Sequence, residues 1–308
     1  MIRAPVVLFG FRRSDLLRSS LEELNRIGSL RVHVVLDGAP ANSPEIQKGV
    51  SRCGEVLKSA WSALDIVPHV AEKNLGCRGR VLTGLDEVFQ TEDEAIILED
   101  DIRAGPDFFH LCNQGLELLR KNERVGSICG TALKGIHRRI RSPVFLSRYT
   151  GSWGWATWGD RWKKFRQDNL KLNVLDQPEP PAWLKMEQEE WLFWQNRMGL
   201  ARSGRLDSWA YSWRAFCWQM EWLTLRPSAN LTKNLGFGPE ATHTKDIPPG
   251  VVLEFEQWTQ PTSGEMKSPP IGIGDSILSD WIRPGANMIG RRIGRLIRDW
   301  RYEIVRND

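Results

Sequence analysis

Cysteine is scarce in this 308-residue chain: five in all, at positions 53, 77, 112, 129 and 217. No two form a CxxC pair, and none joins the five histidines at zinc-finger spacing, so a disulfide framework and a zinc finger are both excluded. The odd, scattered set fits a reducing cytosolic compartment. Long apolar runs are also missing; none approaches the roughly 18 residues that cross a bilayer. The opening MIRAPVVLFGFRR holds only a short apolar run followed by arginines, which reads as a first strand and not as a signal peptide. Charge of one sign is lacking too. The net charge is +4, and residues 283–308 supply all of it, seven arginines against Asp299, Glu303 and Asp308. A main domain without a basic face argues against nucleic acid as a partner. The glycine-rich phosphate loops are absent as well. The place of a GxGxxG motif after the first strand holds Gly10-Phe11-Arg12-Arg13-Ser14-Asp15, and no GxxxxGK[ST] occurs anywhere. A nucleotidyltransferase would carry a glycine-rich loop at that same place, which disfavours that alternative.

What is present alternates. Residues 6–11, 31–37, 64–70 and 95–99 are apolar runs rich in Val, Ile and Leu, and helical spacing separates them. Ser14 reads as the N-cap of the first helix, with Leu17, Leu21, Leu24 and Ile27 on one face. Further helices are expected over 45–59, 79–89 and 106–120. Continuous apolar strands joined by helices predict an α/β protein with a mostly parallel sheet covered on both faces. Beyond residue 130 the character changes, and eleven of the fifteen tryptophans lie between Trp153 and Trp222. A helix is expected over 183–198 and another from Asp207-Ser208. This divides the chain into a nucleotide-binding half over 1–130, a catalytic and acceptor-binding half of the same domain over 131–250, a linker or irregular extension over 251–283, and a helix over 284–308.

The stretch AIILEDD, residues 95–101, runs a buried strand straight into three carboxylates. Three adjacent negative charges repel one another and need a positive partner. Side chains alternate along a strand, so Glu99 and Asp101 point one way and Asp100 the other. Asp101, furthest past the strand, is the best direct ligand for a hard cation such as Mg²⁺ or Mn²⁺. Glu99 and Asp100 could orient water, a sugar hydroxyl or a basic neighbour. In parallel sheets ligands bind beyond the carboxyl ends of strands, where Asp37 and Asn74 also fall. Arg12, Arg13 and Arg78 sit in loops from which they could reach ribose or phosphate.

These residues fall in a recognisable order. The acid triplet is followed by Gly151-Ser152-Trp153-Gly154-Trp155-Ala156-Thr157-Trp158, then Asp207-Ser208-Trp209, then Asn230-Leu231-Thr232-Lys233-Asn234-Leu235-Gly236-Phe237-Gly238 and Thr242-His243. Upstream stand Phe9-Gly10-Phe11-Arg12-Arg13, Leu36-Asp37-Gly38 and Asn74-Leu75-Gly76. The set resembles bacterial GT-A glycosyltransferases of surface-polysaccharide biosynthesis and, more distantly, the N-acetylglucosaminyltransferase I type, over about residues 5–245. It departs at Cys77, where a bulkier apolar residue is usual, and at Gly238-Pro239-Glu240, where Gly-Xaa-Asp is usual. The resemblance implies a GT-A-like, Rossmann-like fold with a Trp-rich acceptor side. It implies an inverting transfer from a nucleotide-sugar, UDP-sugar favoured, to a glycan or lipid-linked saccharide. Asp101 would bind the metal, with His243 completing its shell or touching the diphosphate. Phe9, Arg12, Arg13, Asp37, Asn74, Arg78, Glu99, Asp100 and Trp155 would contact the donor. Asp207 would be the catalytic base, although Asp before a helical stretch is also a common N-cap. Trp153, Trp155 and Trp209 could stack on sugar rings, Trp153 and Trp209 on the acceptor side. Trp191, Trp194 and Met198, and Trp209, Trp213 and Phe216, recur at helical spacing and read mainly as core, which leaves Trp153 and Trp155, in a glycine-flanked loop, as the better site candidates. A nucleotide-sugar-binding protein without turnover is the alternative from another class. In the tail, Ile289, Ile293, Leu296, Ile297, Trp300 and Ile304 form one stripe flanked by arginines, a basic amphipathic helix that would either touch the inner face of the cytoplasmic membrane or dock on the catalytic domain with its arginines solvated.

Overall fold

The computed structural model describes residues 2–132, 136, 140–168, 171–237, 252–272 and 275. His243 and the tail over 284–308 lie outside the described residues. The first half alternates β1 (Val6–Gly10), α1 (Ser14–Ile27), β2 (Leu30–Leu36), α2 (Pro44–Leu57), β3 (Leu64–Val70), α3 (Gly76–Val88) and β4 (Glu94–Glu99). Then come β5 (Ile102–Ala104), α4 (Pro106–Leu119), β6 (Val125–Cys129), β7 (Val144–Ser147), β8 (Trp155–Trp158) and α5 (Gly159–Gln167). The chain continues through α6 (Gln188–Arg202), α7 (Trp209–Gln219), β9 (Leu223–Pro227), β10 (Thr232–Asn234) and the short α8 (Ser263–Lys267).

Eight strands form one sheet in the order β3-β2-β1-β4-β8-β6-β9-β7, and β10 pairs with β5 apart from it. Strands β3, β2, β1 and β4 are parallel; β8 runs antiparallel between β4 and β6, and β7 opposes β9 at the edge. The protein is therefore α/β with a mostly parallel central sheet flanked by helices, compatible with a Rossmann-like fold. Continuous Val and Ile runs suit strands covered on both sides. Leu17, Leu21 and Leu24 of α1 pack with α2 and α4 on one face. Helices α3, α5, α6 and α7 cover the other face with an aromatic cluster in which Trp155, Trp162, Trp191, Trp213 and Trp218 are fully buried.

Several local expectations shift. Arg13, not Ser14, occupies the N-cap place of α1, and no side chain caps that helix. Helix α3 begins at Gly76 and not at residue 79; Gly76 turns the chain into it with a left-handed φ of 71° that only glycine adopts cheaply. The expected helix over 183–198 is broken. A 3₁₀ turn, Ala182–Leu184, ends at Lys185 with φ 47°, and α6 starts at Gln188. Trp155, expected in a glycine-flanked loop, lies in strand β8. Residues 252–272 carry little regular structure yet wrap the body. Asn230 donates to the carbonyls of Val252 and Glu254, Trp258 donates to that of Pro143, and Met266 is fully buried. Among the described residues no helix is long and apolar enough to cross a membrane.

Candidate functional site

Strand β1 has β2 on one side and β4 on the other, and the β1–β2 crossover α1 lies on the opposite face of the sheet from the β3–β4 crossover α3. The connections thus diverge above the carboxyl ends of β1 and β4, the place where open parallel sheets bind ligands. A cleft of about 180 Å³ opens there. Phe9, Gly10, Phe11 and Arg13 line it from the β1 end and Glu99 and Asp101 from the β4 end, while Trp153 and the segment Asn234, Gly236, Phe237 form its lip.

The acid tip is built from both sides of the sheet. Glu99 and Asp101 face the cleft, whereas Asp100 turns away and is 2% exposed. One guanidinium nitrogen of Arg13, Nη2, donates to Asp100 and also to Asp101 Oδ2, the latter at 2.8 Å. The Asp100 carbonyl is fixed from behind by the Ser20 hydroxyl at 3.1 Å and Arg103 at 2.8 Å. From the front, the β10 segment folds over the tip. The Leu235 N–H donates to the Asp101 carbonyl at 2.8 Å, and the Gly236 N–H to Asn234 Oδ1 at 2.7 Å. Gly236 has no room for a side chain, since a Cβ there would sit 2.1 Å from Asp101 Oδ2. Burial, then the charges of Asp101 and Asp100, hold the Glu99 carboxyl well above the usual carboxylate range. Burial pushes Asp100 up to about 6 against the opposing pull of Arg13. The Asp100 Oδ2 atom is buried without a hydrogen-bond partner among the described residues.

Other expected donor contacts serve the frame. Asp37 accepts from the Gly38 and Leu75 N–H groups, both at 2.9 Å, and from Asn74 Nδ2 at 3.0 Å. Asn74 also donates to the Gly38 carbonyl. These two side chains therefore lock the loop after β3 onto the end of β2; only Asp37 reaches the cleft wall. Gly38 permits that approach, as a Cβ would meet the Lys73 backbone at 2.5 Å. Arg12 is exposed and, like Arg78, does not line the cleft. Arg80, which sequence reasoning passed over, does line it, but its donors go to the Leu36 and His69 carbonyls and to Glu87.

Asp207 does not cap the helix that follows it. Its two oxygens accept the backbone N–H groups of Cys77 and Arg78, each at 3.0 Å, and so cap the first turn of α3 from 130 residues away. Ser208 occupies the N-cap place of α7 without a side-chain bond. Among the tryptophans, Trp153 is half-buried at the lip, edge-on to Phe237 at 5.6 Å. Trp155 and Trp209 correct the expectation of sugar stacking. They are 1% and 4% exposed and stack on each other at 5.0 Å, so their faces are covered by core. Phe11, Cys77, Asn234, Gly236 and Phe237 are cleft residues left out of the expected contact set. The signal for the last three lay in the quoted motif beside the acids, and pairing of β10 with β5 brings them there.

Among the described residues no group of three or more His, Cys, Asp or Glu side chains forms a metal cage. Mg²⁺ and Mn²⁺ need only one or two protein carboxylates when phosphates complete the shell. Glu99 and Asp101 share one wall of the cleft, and Glu99 accepts no hydrogen bond among the described residues. The donor set therefore fits such a cation with a phosphate-bearing ligand. No protein-family model matches this chain, and no curated protein matches it in sequence.

Proposed function

We propose that the chain is an inverting, divalent-cation-dependent glycosyltransferase with the GT-A version of the Rossmann-like sheet. It would move a sugar from a nucleoside-diphosphate donor, UDP favoured, to a hydroxyl of a glycan or lipid-linked saccharide. The observation that carries the reading is the acid tip of β4, where Glu99 and Asp101 face a cleft at the divergence of β1 and β4 beneath an aromatic lip. Asp101, with Glu99 beside it, would hold Mn²⁺ or Mg²⁺, which when bound stabilises charge on the departing diphosphate. His243 is proposed to join that shell. Phe9 and Phe11 offer apolar walls to a base or sugar, and Trp153 with Phe237 flanks the opening. Asp207, in the base role, would accept the proton of the acceptor hydroxyl, a contribution typically of about 10²–10⁴-fold. Donor hydrolysis tests the reading. Incubation with a panel of UDP- and GDP-sugars and Mn²⁺ should release nucleotide, and Asp101→Ala should abolish metal-dependent donor binding; a panel with neither binding nor release rules the reading out.

Binding without transfer is the second reading, and one observation favours it. Both oxygens of Asp207 already accept backbone N–H groups, a structural use that needs no catalysis. Nucleotide-sugar binding without release or transfer, across a panel of saccharide acceptors, would select it.

A further inference from the structure

Arg13 touches the acid tip in an unusual way. Both of its ion pairs come from the single nitrogen Nη2, one to Asp100 and one to Asp101. Its Nη1 and Nε donate to nothing among the described residues, although the side chain lines the cleft and is 28% exposed. The backbone is fixed at the start of α1, where its carbonyl accepts the Leu17 N–H at 3.0 Å. A guanidinium anchored through Nη2 keeps its Nη1 and Nε donors for phosphate oxygens, to be met singly and not as a fork, since each fork of the group includes Nη2. Charge makes the same point. Arg13 already neutralises part of Asp101, and a divalent cation arriving alone would be placed beside a like charge. A diphosphate arriving with the cation gives Arg13 an anion of its own and removes that repulsion.

We propose that Arg13 makes cation binding conditional on the nucleoside diphosphate. It shields Asp101 while the cleft is without donor, and turns its unused donors to the diphosphate when metal and nucleotide enter together. The inference rests on the proposed donor site and adds a positioning residue that couples its two ligands. Coupling of this kind is a ratio of affinities and is reciprocal. The test titrates the full chain with MnCl₂ alone, with UDP and with GDP, following free Mn²⁺ by electron paramagnetic resonance. Wild type should bind bare Mn²⁺ weakly and at least about tenfold tighter with one of the nucleotides. Arg13→Met should bind bare Mn²⁺ more tightly than wild type and lose most of the coupling, whereas Arg13→Lys should retain part of it. Should Arg13→Met fail to fold with Asp100 unpaired, Arg13→Gln keeps a donor to Asp100 without the charge and gives the same reading. Undiminished coupling in the uncharged variant overturns the role of Arg13 and leaves the donor site standing. Absence of Mn²⁺ binding to wild type with either nucleotide overturns both.

Discussion

At the scale of single residues, Asp207 and Asp100, neither of which lines the cleft, have separable duties. Asp207 is a cap as well as a proposed base, and two variants part the roles. Asp207→Ala should lower stability by about 1–2 kcal/mol, the usual worth of a lost cap. Asp207→Asn should leave donor binding intact and stop transfer; transfer at the wild-type rate would remove Asp207 from the chemistry. Asp100 gives a pH signature. Its folded-state carboxyl is raised to about 6 from an ordinary 3.8, so the folded chain holds a proton that the unfolded chain has lost. Folding stability therefore falls as pH rises from about 4 to about 6, by up to roughly 3 kcal/mol from this group. Relative to wild type, Asp100→Asn should gain melting temperature between pH 4 and pH 7 in metal-free buffer; a constant difference would show that Asp100 titrates normally. The alternation of Glu99, Asp100 and Asp101 was legible in seven letters of sequence, whereas the capture of Asp207 by α3 was not. That bond joins segments with no pattern in common, and its only local trace is glycine at position 76.

Among elements, the strap formed by β10 and residues 252–256 controls the front of the acid tip. Asn230 is its knot: 1% exposed, it donates to the carbonyls of Thr232, Val252 and Glu254, and its Oδ1 accepts the Ala132 N–H. Asn230→Ala leaves these carbonyls short of a donor, each unsatisfied group costing about 1–3 kcal/mol. Limited proteolysis should then cut within 252–272 well before the wild type is cut; equal resistance would show that the strap is held elsewhere. Strands β1 and β4 could be read directly because Val6, Val7, Leu8 and Ile96, Ile97, Leu98 leave no polar face. Strand β8 could not. Trp155-Ala156-Thr157-Trp158 is four residues long, follows glycine, and becomes a strand only through pairing with both β4 and β6. That pairing on both sides makes Trp155 a wall of the core and not a platform for sugar.

For the whole molecule, charge and topology have separate consequences. The first 282 residues are electrically balanced and the last 26 carry +4, so any attraction to anionic lipid belongs to the tail. Full-length chain should float with phosphatidylglycerol-containing vesicles at low salt and a chain ending at residue 283 should not; equal flotation of both would end the membrane proposal. The sheet is continuous through the middle of the sequence, for β4 and β6 meet only by way of β8, whose residues follow both. A ribosome that has delivered 130 residues has thus made an unfinished object. Strand β4 then displays a bare hydrogen-bonding edge, in the register later taken by Trp155 to Trp158, and unpaired edges recruit other chains. Until the tryptophans arrive that edge has no partner within the chain, so the interval between β6 and β8 is the one in which the sheet is open in its middle.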